Sequence, residues 1–260
     1  MSERVTAAHM ALAGALADKA AAIIRRYFRS NLAVETKADE TPVTVADREA
    51  EAEMRALIEA RFPDHGVLGE EHGRTRPEAD YVWVLDPIDG TKSFISGVPL
   101  FGTLIALTHK GTPVLGVIDQ PILRERWLGA EGRKTTLNGK PIATRACSMV
   151  GDATLYATAP EMFAGTDAQA FARLRQGVKL ARYGADCYAY GLLAAGFVDL
   201  VVEAGLKPYD YCALVPVIEG AGGEMSDWTG EVLTLRSDGR VIAAGDPALA
   251  AAARSALAGK

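Results

Sequence analysis

The sequence WVLDPIDGT at residues 83–91 joins an apolar run to two carboxylates, a proline and a glycine. The apolar part is rich in β-forming residues and predicts a buried strand that ends at Asp86 and Asp89. The proline limits the backbone between the two acids, and Gly90 permits a turn or a close approach. Thr91 then begins a predicted short helix whose first amides face outward and can bind an anion. Two carboxylates beside free amides suggest a site for cations and a phosphate.

A simple turn is the alternative interpretation of these residues, because Asp, Pro and Gly all favour turns. Acids elsewhere in the chain weaken that alternative. Glu70 and Glu71 follow Gly69 at the end of another predicted strand, and Asp210 precedes an apolar segment far downstream. Hard divalent cations take several oxygen ligands, and a pair of them needs a bridging carboxylate. Acids at several element ends meet this requirement.

Length and composition restrict the class of protein. The chain has 260 residues and a formal net charge of −5, which suits one large domain or two packed halves and argues against non-specific nucleic-acid binding. The N-terminus lacks the pattern of a secretory signal and no apolar run approaches a membrane span, so we expect a cytoplasmic protein without a membrane partner. Cys147, Cys187 and Cys212 fit neither a zinc site nor a disulfide framework, and we expect buried or half-buried thiols without a chemical role.

Hydrophobic periodicity predicts two halves that form one compact unit. Residues 1–145 should form an N-terminal α+β half with helices at 5–28 and 47–62 and an antiparallel sheet that carries most of the acids. Residues 146–260 should form an α/β half in which strands and helices alternate. A helix at 210–220 should begin at Asp210.

Three local sequence signals each predict one feature of the backbone. The pair Asn138-Gly139 predicts a type I′ hairpin turn. Gly222-Gly223 follows a predicted helix instead of preceding one, so it should end that helix and not bind phosphate. Asp246 should cap the last helix.

Four ordered motifs resemble those of the inositol monophosphatase family of magnesium-dependent, lithium-sensitive phosphatases. They are VTVAD at 43–47, GEE at 69–71, DPIDGT at 86–91, and YD at 209–210 followed by AGG at 221–223. The resemblance covers nearly the whole chain. It implies a layered α-β-α-β-α sandwich of the sugar phosphatase type, a homodimer, and a loop at 37–42 that lies over the active site and can move.

The resemblance also implies a site for two or three Mg²⁺ ions. Glu70, Asp86 and the backbone carbonyl of Ile88 would bind one ion. Asp86, Asp89 and Asp210 would bind a second, so that Asp86 bridges the two. A weaker third ion would lie near Glu70.

The phosphate and the attacking water are assigned by the same resemblance. The amides of Gly90 and Thr91 would bind phosphate oxygens. Thr91, oriented by Asp47, and Glu70 would position and activate a water for in-line attack, without a phosphoenzyme. From local sequence alone, Asp47 has another interpretation, because an acid in the first turn of a helix is favoured by the helix dipole.

The substrate side is more similar to the histidinol-phosphate phosphatase branch of the family than to the inositol branch. The similarity lies in residues 92–95, 101–107 and 202–214. The inositol branch more often has Asn at the position of Ser93 and Trp at the position of Tyr209.

Histidinol phosphate carries an ammonium and an imidazole, so carboxylates suit its pocket. Asp186 and Glu203 are the candidate substrate-binding residues. Asp186 could instead cap the helix that follows it. Glu203 matches a family position that contacts substrate hydroxyls, which would suit inositol too.

The leading hypothesis is therefore a Mg²⁺-dependent phosphomonoesterase of histidine biosynthesis that converts L-histidinol phosphate to L-histidinol. Its nearest rival is an inositol-1-monophosphatase or a broad-specificity sugar phosphatase with the same site. A rival of another class is a regulatory protein-binding module on the same fold. The presence of every expected metal ligand argues against that module.

Overall fold

The computed structural model describes residues 4–30, 34–36 and 42–259. Residues 37–41 of the predicted active-site loop lie outside this part of the chain. The elements, in chain order, are α1 (Ala7–Tyr27), β1 (Val34–Thr36), β2 (Pro42–Thr44), α2 (Val45–Arg61), β3 (Gly66–Gly69), β4 (Gly73–Thr75), β5 (Tyr81–Asp89), α3 (Thr91–Ile95), β6 (Gly102–His109), β7 (Thr112–Gln120), β8 (Glu125–Ala130), β9 (Thr136–Leu137), β10 (Lys140–Pro141), β11 (Thr154–Ala157), α4 (Gly165–Gly177), β12 (Leu180–Tyr183), α5 (Asp186–Ala194), β13 (Leu200–Glu203), α6 (Pro208–Tyr211), α7 (Leu214–Gly220), β14 (Glu224–Ser226), β15 (Val241–Ala244) and α8 (Pro247–Ala258).

Strands β1 and β2 form a two-stranded sheet of their own, and the other described strands form two larger sheets. The large sheet has 8 strands in the order β10-β9-β8-β7-β6-β5-β3-β4, and the small sheet has 5 in the order β12-β11-β13-β15-β14. The predicted antiparallel sheet of the first half is confirmed from β5 to β10, where all neighbours are antiparallel. The prediction of a wholly antiparallel sheet is wrong, because β3 and β5 run parallel. Strand β4 pairs antiparallel with β3 on the side away from β5. The chain then crosses to the other side of β3 and enters β5, which runs in the same direction as β3.

Alternate side chains of β5 point into two different cores, which explains its continuous apolar run. Trp83 and Leu85 belong to the cluster formed with α1 and α2. Val82 and Val84 belong to the cluster formed with α5, α7 and the small sheet. A strand buried on both faces reads as unbroken hydrophobic sequence. Each fully buried side chain of this size stabilises the fold by roughly 1.5–3 kcal/mol.

A third core completes the layers. Leu155, Leu200 and Ile242 of the small sheet pack against α4 and α8. The order of layers is therefore α1 and α2, the large sheet, α5 to α7, the small sheet, and α4 with α8. The predicted α-β-α-β-α sandwich is confirmed. A division into domains at residues 145 and 146, between β10 and β11, stays a prediction.

The predicted helix at 210–220 is two helices, and the prediction that it begins at Asp210 is wrong. Helix α6 ends at Tyr211 and α7 begins at Leu214. Pro216 thereby falls in the first turn of α7, where its missing N–H would have had no intrahelical acceptor. In one continuous helix, the ring of Pro216 would clash with the carbonyl four residues earlier. Asp210 is the third residue of α6 instead of the first of a long helix.

Helix α1 has 21 residues and is long and apolar enough to cross a membrane by length and composition, so the statement that no apolar run approaches a span is wrong. In the most apolar 18-residue window of this helix, 50% is buried inside the protein. Leu16 and Ile24 are fully buried in the cluster shared with α2 and the large sheet. The helix therefore has the buried face of a core packing helix.

The local signals and the cysteines agree with the structure. Asn138 and Gly139 have φ of 49° and 77°, the two positive angles that a type I′ turn needs. Asp246 caps α8 through Ala248 N, and Gly222 ends α7 with φ 96°. The three cysteines are free, Cys147 half-buried and the other two buried.

Candidate active site

The end of β5 is irregular, and this irregularity brings its two acids together. The pairing of β5 with β6 shifts register between Asp86 and Asp89. Asp86 Oδ1 accepts a hydrogen bond from Ile88 N at 3.0 Å, and Thr103 Oγ1 donates to the carbonyl of Pro87 at 2.8 Å. In a regular strand, residues three apart point to opposite faces. The bulge removes that alternation, as bulges near active sites commonly do.

Helix α6 supplies a third carboxylate to the same place. Asp86, Asp89 and Asp210 each have a carboxylate oxygen within 4.8 Å of the others. Asp210 Oδ2 accepts a hydrogen bond from Lys207 N at 2.7 Å, and Asp89 Oδ2 accepts one from Cys187 N at 2.6 Å. The cluster thus joins the large sheet to α5 and α6, and it unites acids that are more than 120 residues apart in the sequence.

Close approach of the middle helices to the large sheet places Asp210. A methyl group on Gly116 of β7 would overlap the carbonyl oxygen of Ala213, and one on Gly129 of β8 would overlap that of Pro216. These two glycines let the segment from α6 to α7 lie directly on the sheet. Their role is to leave space for the neighbouring backbone, because neither has a positive φ.

The charges of the cluster repel one another. Burial raises the pKa of Asp86 well above its ordinary value, and repulsion from Glu70, Asp89 and Asp210 raises it further. Burial and repulsion from Asp186 and Asp210 do the same to Asp89. The pKa of Asp210 is raised to about 7 by burial first and also by Glu70 and Glu203. A site that destabilises its own negative charges is suited to a cation.

Mg²⁺ fits this set of donors. The three carboxylates offer hard oxygen ligands, and Glu70 is close enough for its charge to raise the pKa of Asp86. The carbonyl of Ile88 accepts a hydrogen bond from Thr91 Oγ1 at 3.0 Å. A divalent cation would favour the ionised carboxylates and release protons on binding. The structure therefore brings together the predicted ligands Asp86, Asp89 and Asp210, with Glu70 beside them.

Gly90 has φ 86° and forms the N-cap of α3, with no side chain capping the helix. A left-handed angle is why glycine is needed there. An ideal Cβ on Gly90 would lie 3.0 Å from the carboxyl carbon of Asp186. The predicted phosphate-binding turn thus lies against one of the predicted substrate-side acids. Phosphate binding by the amides of Gly90 and Thr91 stays a prediction.

Asp47 has the capping role that its position in α2 indicates. Its Oδ2 accepts hydrogen bonds from Thr44 N at 2.8 Å and Thr44 Oγ1 at 2.6 Å. Its Oδ1 is buried, and no donor in the described part of the chain reaches it. Burial raises the pKa of Asp47, and the nearby Glu70 adds to the shift. The predicted contact with Thr91 stays a prediction, since Thr91 Oγ1 donates to Ile88 here.

Asp186 is not an N-cap, so that interpretation is wrong. The N-cap of α5 is Ala185, and Asp186 is the first helical residue, with φ 47°. Its Oδ2 accepts a hydrogen bond from Ser93 Oγ at 3.0 Å. A left-handed non-glycine residue costs about 1–3 kcal/mol and is commonly found at functional sites. The side chain bridges α5 to α3, at the turn that Gly90 begins.

Glu203 is buried at the end of β13 and is tied to the protein by both oxygens. Oε1 accepts from Thr158 N at 2.8 Å, and Oε2 accepts from the hydroxyl of Tyr190 at 2.8 Å. Burial raises the pKa of Glu203 to about 6, and the charge of Asp186 contributes. Each carboxylate oxygen has a second lone pair, so contact with a substrate remains chemically open to Glu203.

The sequence interpretation missed the groups that hold these acids, among them a backbone amide and a tyrosine hydroxyl of α5. The Cys187 amide binds Asp89, and the Tyr190 hydroxyl binds Glu203. A backbone amide leaves no signal in the sequence, and Tyr190 looks like an ordinary core residue of α5.

A cavity of about 560 Å³ lies beside β3 to β5, and none of the predicted site residues lines it.

Comparisons with known proteins agree with the fold and the motifs. The model of the inositol monophosphatase family matches residues 5–258. The bifunctional phosphatase IMPL2, chloroplastic, of Arabidopsis thaliana is 55% identical over 245 residues, which cover 91% of this chain and 71% of that protein. A histidinol-phosphatase of Chlorobaculum parvum is 38% identical over 234 residues, 89% of this chain and 90% of its own.

Solved structures give the same result. An inositol monophosphatase from Zymomonas mobilis superposes with a TM-score of 0.90 at 49% identity, covering 98% of this chain and 100% of that one. The acidic cluster at the end of β5 is thus found in a chain whose sequence and fold both match a phosphatase family. The protein belongs to the inositol monophosphatase family.

Proposed function

We propose that this phosphatase hydrolyses L-histidinol phosphate to L-histidinol and inorganic phosphate with the help of Mg²⁺. The observation that carries the proposal is the cluster of Asp86, Asp89 and Asp210, whose carboxylate oxygens lie within 4.8 Å of one another. Raised pKa values in such a cluster favour a bound cation. The donors of this cluster are hard carboxylate oxygens, and the chain belongs to a phosphatase family. Both observations support Mg²⁺ as that cation.

Each group in the site has a role in this reaction. Asp86, Asp89 and Asp210, with Glu70 and the carbonyl of Ile88, would hold Mg²⁺. The bound ion would stabilise the charge that develops on phosphate and leaving oxygens.

The remaining steps use the chain's own groups. The amides of Gly90 and Thr91 would bind two phosphate oxygens at the start of α3. Glu70 would accept a proton from the attacking water, and Thr91, itself oriented by Asp47, would position that water. The water oxygen forms a bond to phosphorus as the bond between phosphorus and the ester oxygen breaks. The leaving alkoxide takes a proton from solvent to become the alcohol of histidinol, which balances the proton passed to Glu70.

The carboxylates Asp186 and Glu203 support a cationic substrate. Asp186 packs against the turn at Gly90, and its charge raises the pKa of Glu203. An ammonium or imidazolium group beside these acids would favour their ionised forms. Relatives named histidinol-phosphatase, such as that of Chlorobaculum parvum, support the same choice.

An inositol or sugar phosphate is the second candidate. The Zymomonas mobilis protein, 49% identical, is named an inositol monophosphatase, and the Arabidopsis relative is named bifunctional. A regulatory binding module on this fold is less well supported, because such a module would not need the complete acidic cluster. The homodimer stays a prediction from the resemblance, and the cytoplasmic location stays a prediction from the sequence.

The test compares kcat/KM for L-histidinol phosphate and myo-inositol 1-phosphate in one Mg²⁺-containing phosphate-release assay. We expect a preference of about a hundredfold for L-histidinol phosphate, or roughly 2.7 kcal/mol of transition-state discrimination. The opposite preference would leave the metal site in place and refute the proposed substrate. No release from either ester would refute the proposed substrate and its inositol rival alike, and would leave Mg²⁺ binding to be tested separately.

A further inference from the structure

Glu51 of α2 is fully buried, yet the reaction described above does not use it. Its Oε2 accepts a hydrogen bond from Glu71 N at 2.7 Å, and its Oε1 accepts one from His72 N at 3.1 Å. Both amides lie in the turn that directly follows Glu70. A buried carboxylate is costly unless it is paired and hydrogen-bonded, so these contacts determine how the turn is folded.

Arg55, one helical turn after Glu51, completes the contact with the same turn. Its Nε donates to Glu51 Oε1 at 2.7 Å, and its Nη1 donates to Thr75 Oγ1 at 3.2 Å. Its Nη2 donates to the carbonyl of Gly73. The Glu51–Arg55 pair therefore binds the turn after β3 and the strand β4 that follows it. The planar guanidinium suits this role because it directs several donors at fixed angles.

Gly69 shows how close the carboxylate comes to β3. A methyl group on Gly69 would overlap Oε1 and the carboxyl carbon of Glu51. Gly69 does not have a positive φ, so space and not backbone freedom requires glycine here. The amide of Glu70 is bound on the other side by the carbonyl of Leu85, at 3.1 Å. The backbone of Glu70 is therefore hydrogen-bonded to Leu85 of β5, and the two residues after it are hydrogen-bonded to Glu51 of α2.

Asp47, Glu51 and Arg55 are spaced four residues apart and lie on one face of α2. Asp47 at the start of this face is close enough to Glu70 for the two charges to interact. One rigid helix therefore locates Asp47 and, through Glu51, the turn that carries Glu70.

We propose that Glu51 is a positioning residue, which with Arg55 holds Glu70 against Asp86 and so sets the affinity of the site for Mg²⁺. The inference rests on the proposed function, in which Glu70 binds the ion. Partners of metal ligands typically change metal affinity or activity by about 10–100-fold when they are removed. Glu51 would act on Mg²⁺ binding and not on the contacts of the organic part of the substrate.

The test is Mg²⁺ binding by calorimetry in the absence of substrate, with Glu51→Gln compared with wild type. Glutamine keeps the volume but replaces one acceptor with an amide group that faces N–H donors. We expect the Kd for Mg²⁺ and the half-saturating Mg²⁺ concentration for phosphate release to rise about tenfold or more. The KM for the ester at saturating Mg²⁺ should stay within about twofold of the wild-type value.

Glu53→Gln is the matched control, because Glu53 lies on the same helix in an exposed pair with Lys19, at 2.9 Å. It makes the same change of charge and should leave Mg²⁺ affinity unaltered. Arg55→Lys is a second variant in case Glu51→Gln does not fold. Lysine keeps the charge but cannot reach all three acceptors, so we expect weaker Mg²⁺ binding in this variant too.

Mg²⁺ affinities of Glu51→Gln and Arg55→Lys equal to that of Glu53→Gln, with only a lower Tm, would overturn the proposal and leave Glu51 a structural residue. Failure of the wild type to bind Mg²⁺ would overturn it together with the metal site. A wild type that binds Mg²⁺ but releases no phosphate would refute the proposed function alone. In that case the calorimetric comparison still decides the role of Glu51.

Discussion

Asp86 is the most constrained acid of the site. It is 2% exposed, it accepts a hydrogen bond from the backbone of Ile88, and three other acids raise its pKa. A folded-state pKa above the unfolded value means that the metal-free protein is stabilised while Asp86 is protonated and loses that stability as pH rises. Ionisation of Asp86 therefore costs the metal-free protein stability, and a bound cation would offset that cost.

Asp86→Asn removes the charge at nearly constant volume. We expect kcat to fall at least about a thousandfold, or roughly 4 kcal/mol of transition-state stabilisation. We also expect the Tm in EDTA to stay equal or rise, because the repulsion is gone. Phosphate release and thermal unfolding measure the two effects. Asp80→Asn is the control, since Asp80 is an exposed acid just before the other end of β5. Near-wild-type activity of Asp86→Asn would contradict its assignment as a ligand.

Glu203→Gln tests the substrate side. The glutamine amide can donate to the Tyr190 hydroxyl and its carbonyl can accept from Thr158 N, so the fold should tolerate the change. Loss of the charge should reduce kcat/KM for L-histidinol phosphate by about tenfold or more, and that for glycerol 2-phosphate by less than about twofold. Steady-state kinetics on both esters provide the comparison. Equal losses would exclude Glu203 from the pocket for the cationic group.

At the scale of elements, the sequence predicted what depends on local patterns. The burial of β5 follows from its continuous apolar run. The capping of α8 by Asp246 and the turn at Asn138-Gly139 follow from the residue types that favour caps and turns. Pairing between distant segments could not be predicted. The parallel pairing of β3 with β5 depends on how the chain crosses over, and the break before Leu214 depends on where the ring of Pro216 fits.

The site shows the same limit. Its acids follow from their positions at element ends and from the family resemblance. The hydrogen bond from Ser93 to Asp186 and the Glu51 contacts with the turn after Glu70 depend on tertiary packing. The four-residue spacing of Asp47, Glu51 and Arg55 was an available signal, because it places the three side chains on one face of a helix.

Gly116→Ala tests the packing of α6 and α7 on the large sheet. The added methyl would overlap the carbonyl of Ala213, so the helices must move and carry Asp210 with them. We expect a loss of about 1–3 kcal/mol in the free energy of unfolding and a higher Mg²⁺ requirement. Gly14→Ala is the control, because a methyl on Gly14 of α1 meets nothing within 4 Å. Unchanged Tm and Mg²⁺ dependence in Gly116→Ala would show that the contact does not position Asp210.

At the scale of the whole molecule, a cluster of aromatic rings far from the acids affects stability. His65 stacks on Phe62 with ring centroids 4.5 Å apart, and its Nδ1 accepts a hydrogen bond from Trp83 Nε1 at 3.2 Å. Burial and the nearby His9 lower the pKa of His65 to about 4. Protonation would place a donor against the Trp83 N–H.

The sign of the pH effect follows from that shift. The folded pKa of His65 lies below its unfolded value of 6.5, so its contribution to stability is complete above about pH 6.5 and is lost as pH falls toward 4. We expect the Tm advantage of the wild type over His65→Phe to shrink between pH 7 and pH 4.5 in EDTA. Between pH 7 and pH 8 the difference should stay constant. A difference independent of pH down to 4.5 would contradict a neutral buried His65.

We expect the carboxylates that come together from β5 and α6 to bind the divalent cation that phosphate release requires. An anomalous difference map tests this directly, from crystals of the active wild-type protein soaked in Mn²⁺, which takes similar oxygen ligands to Mg²⁺. We predict a peak bounded by Asp86, Asp89 and Asp210, and loss of that peak in Asp86→Asn. Crystals of active protein with no peak among these three carboxylates would contradict the claim.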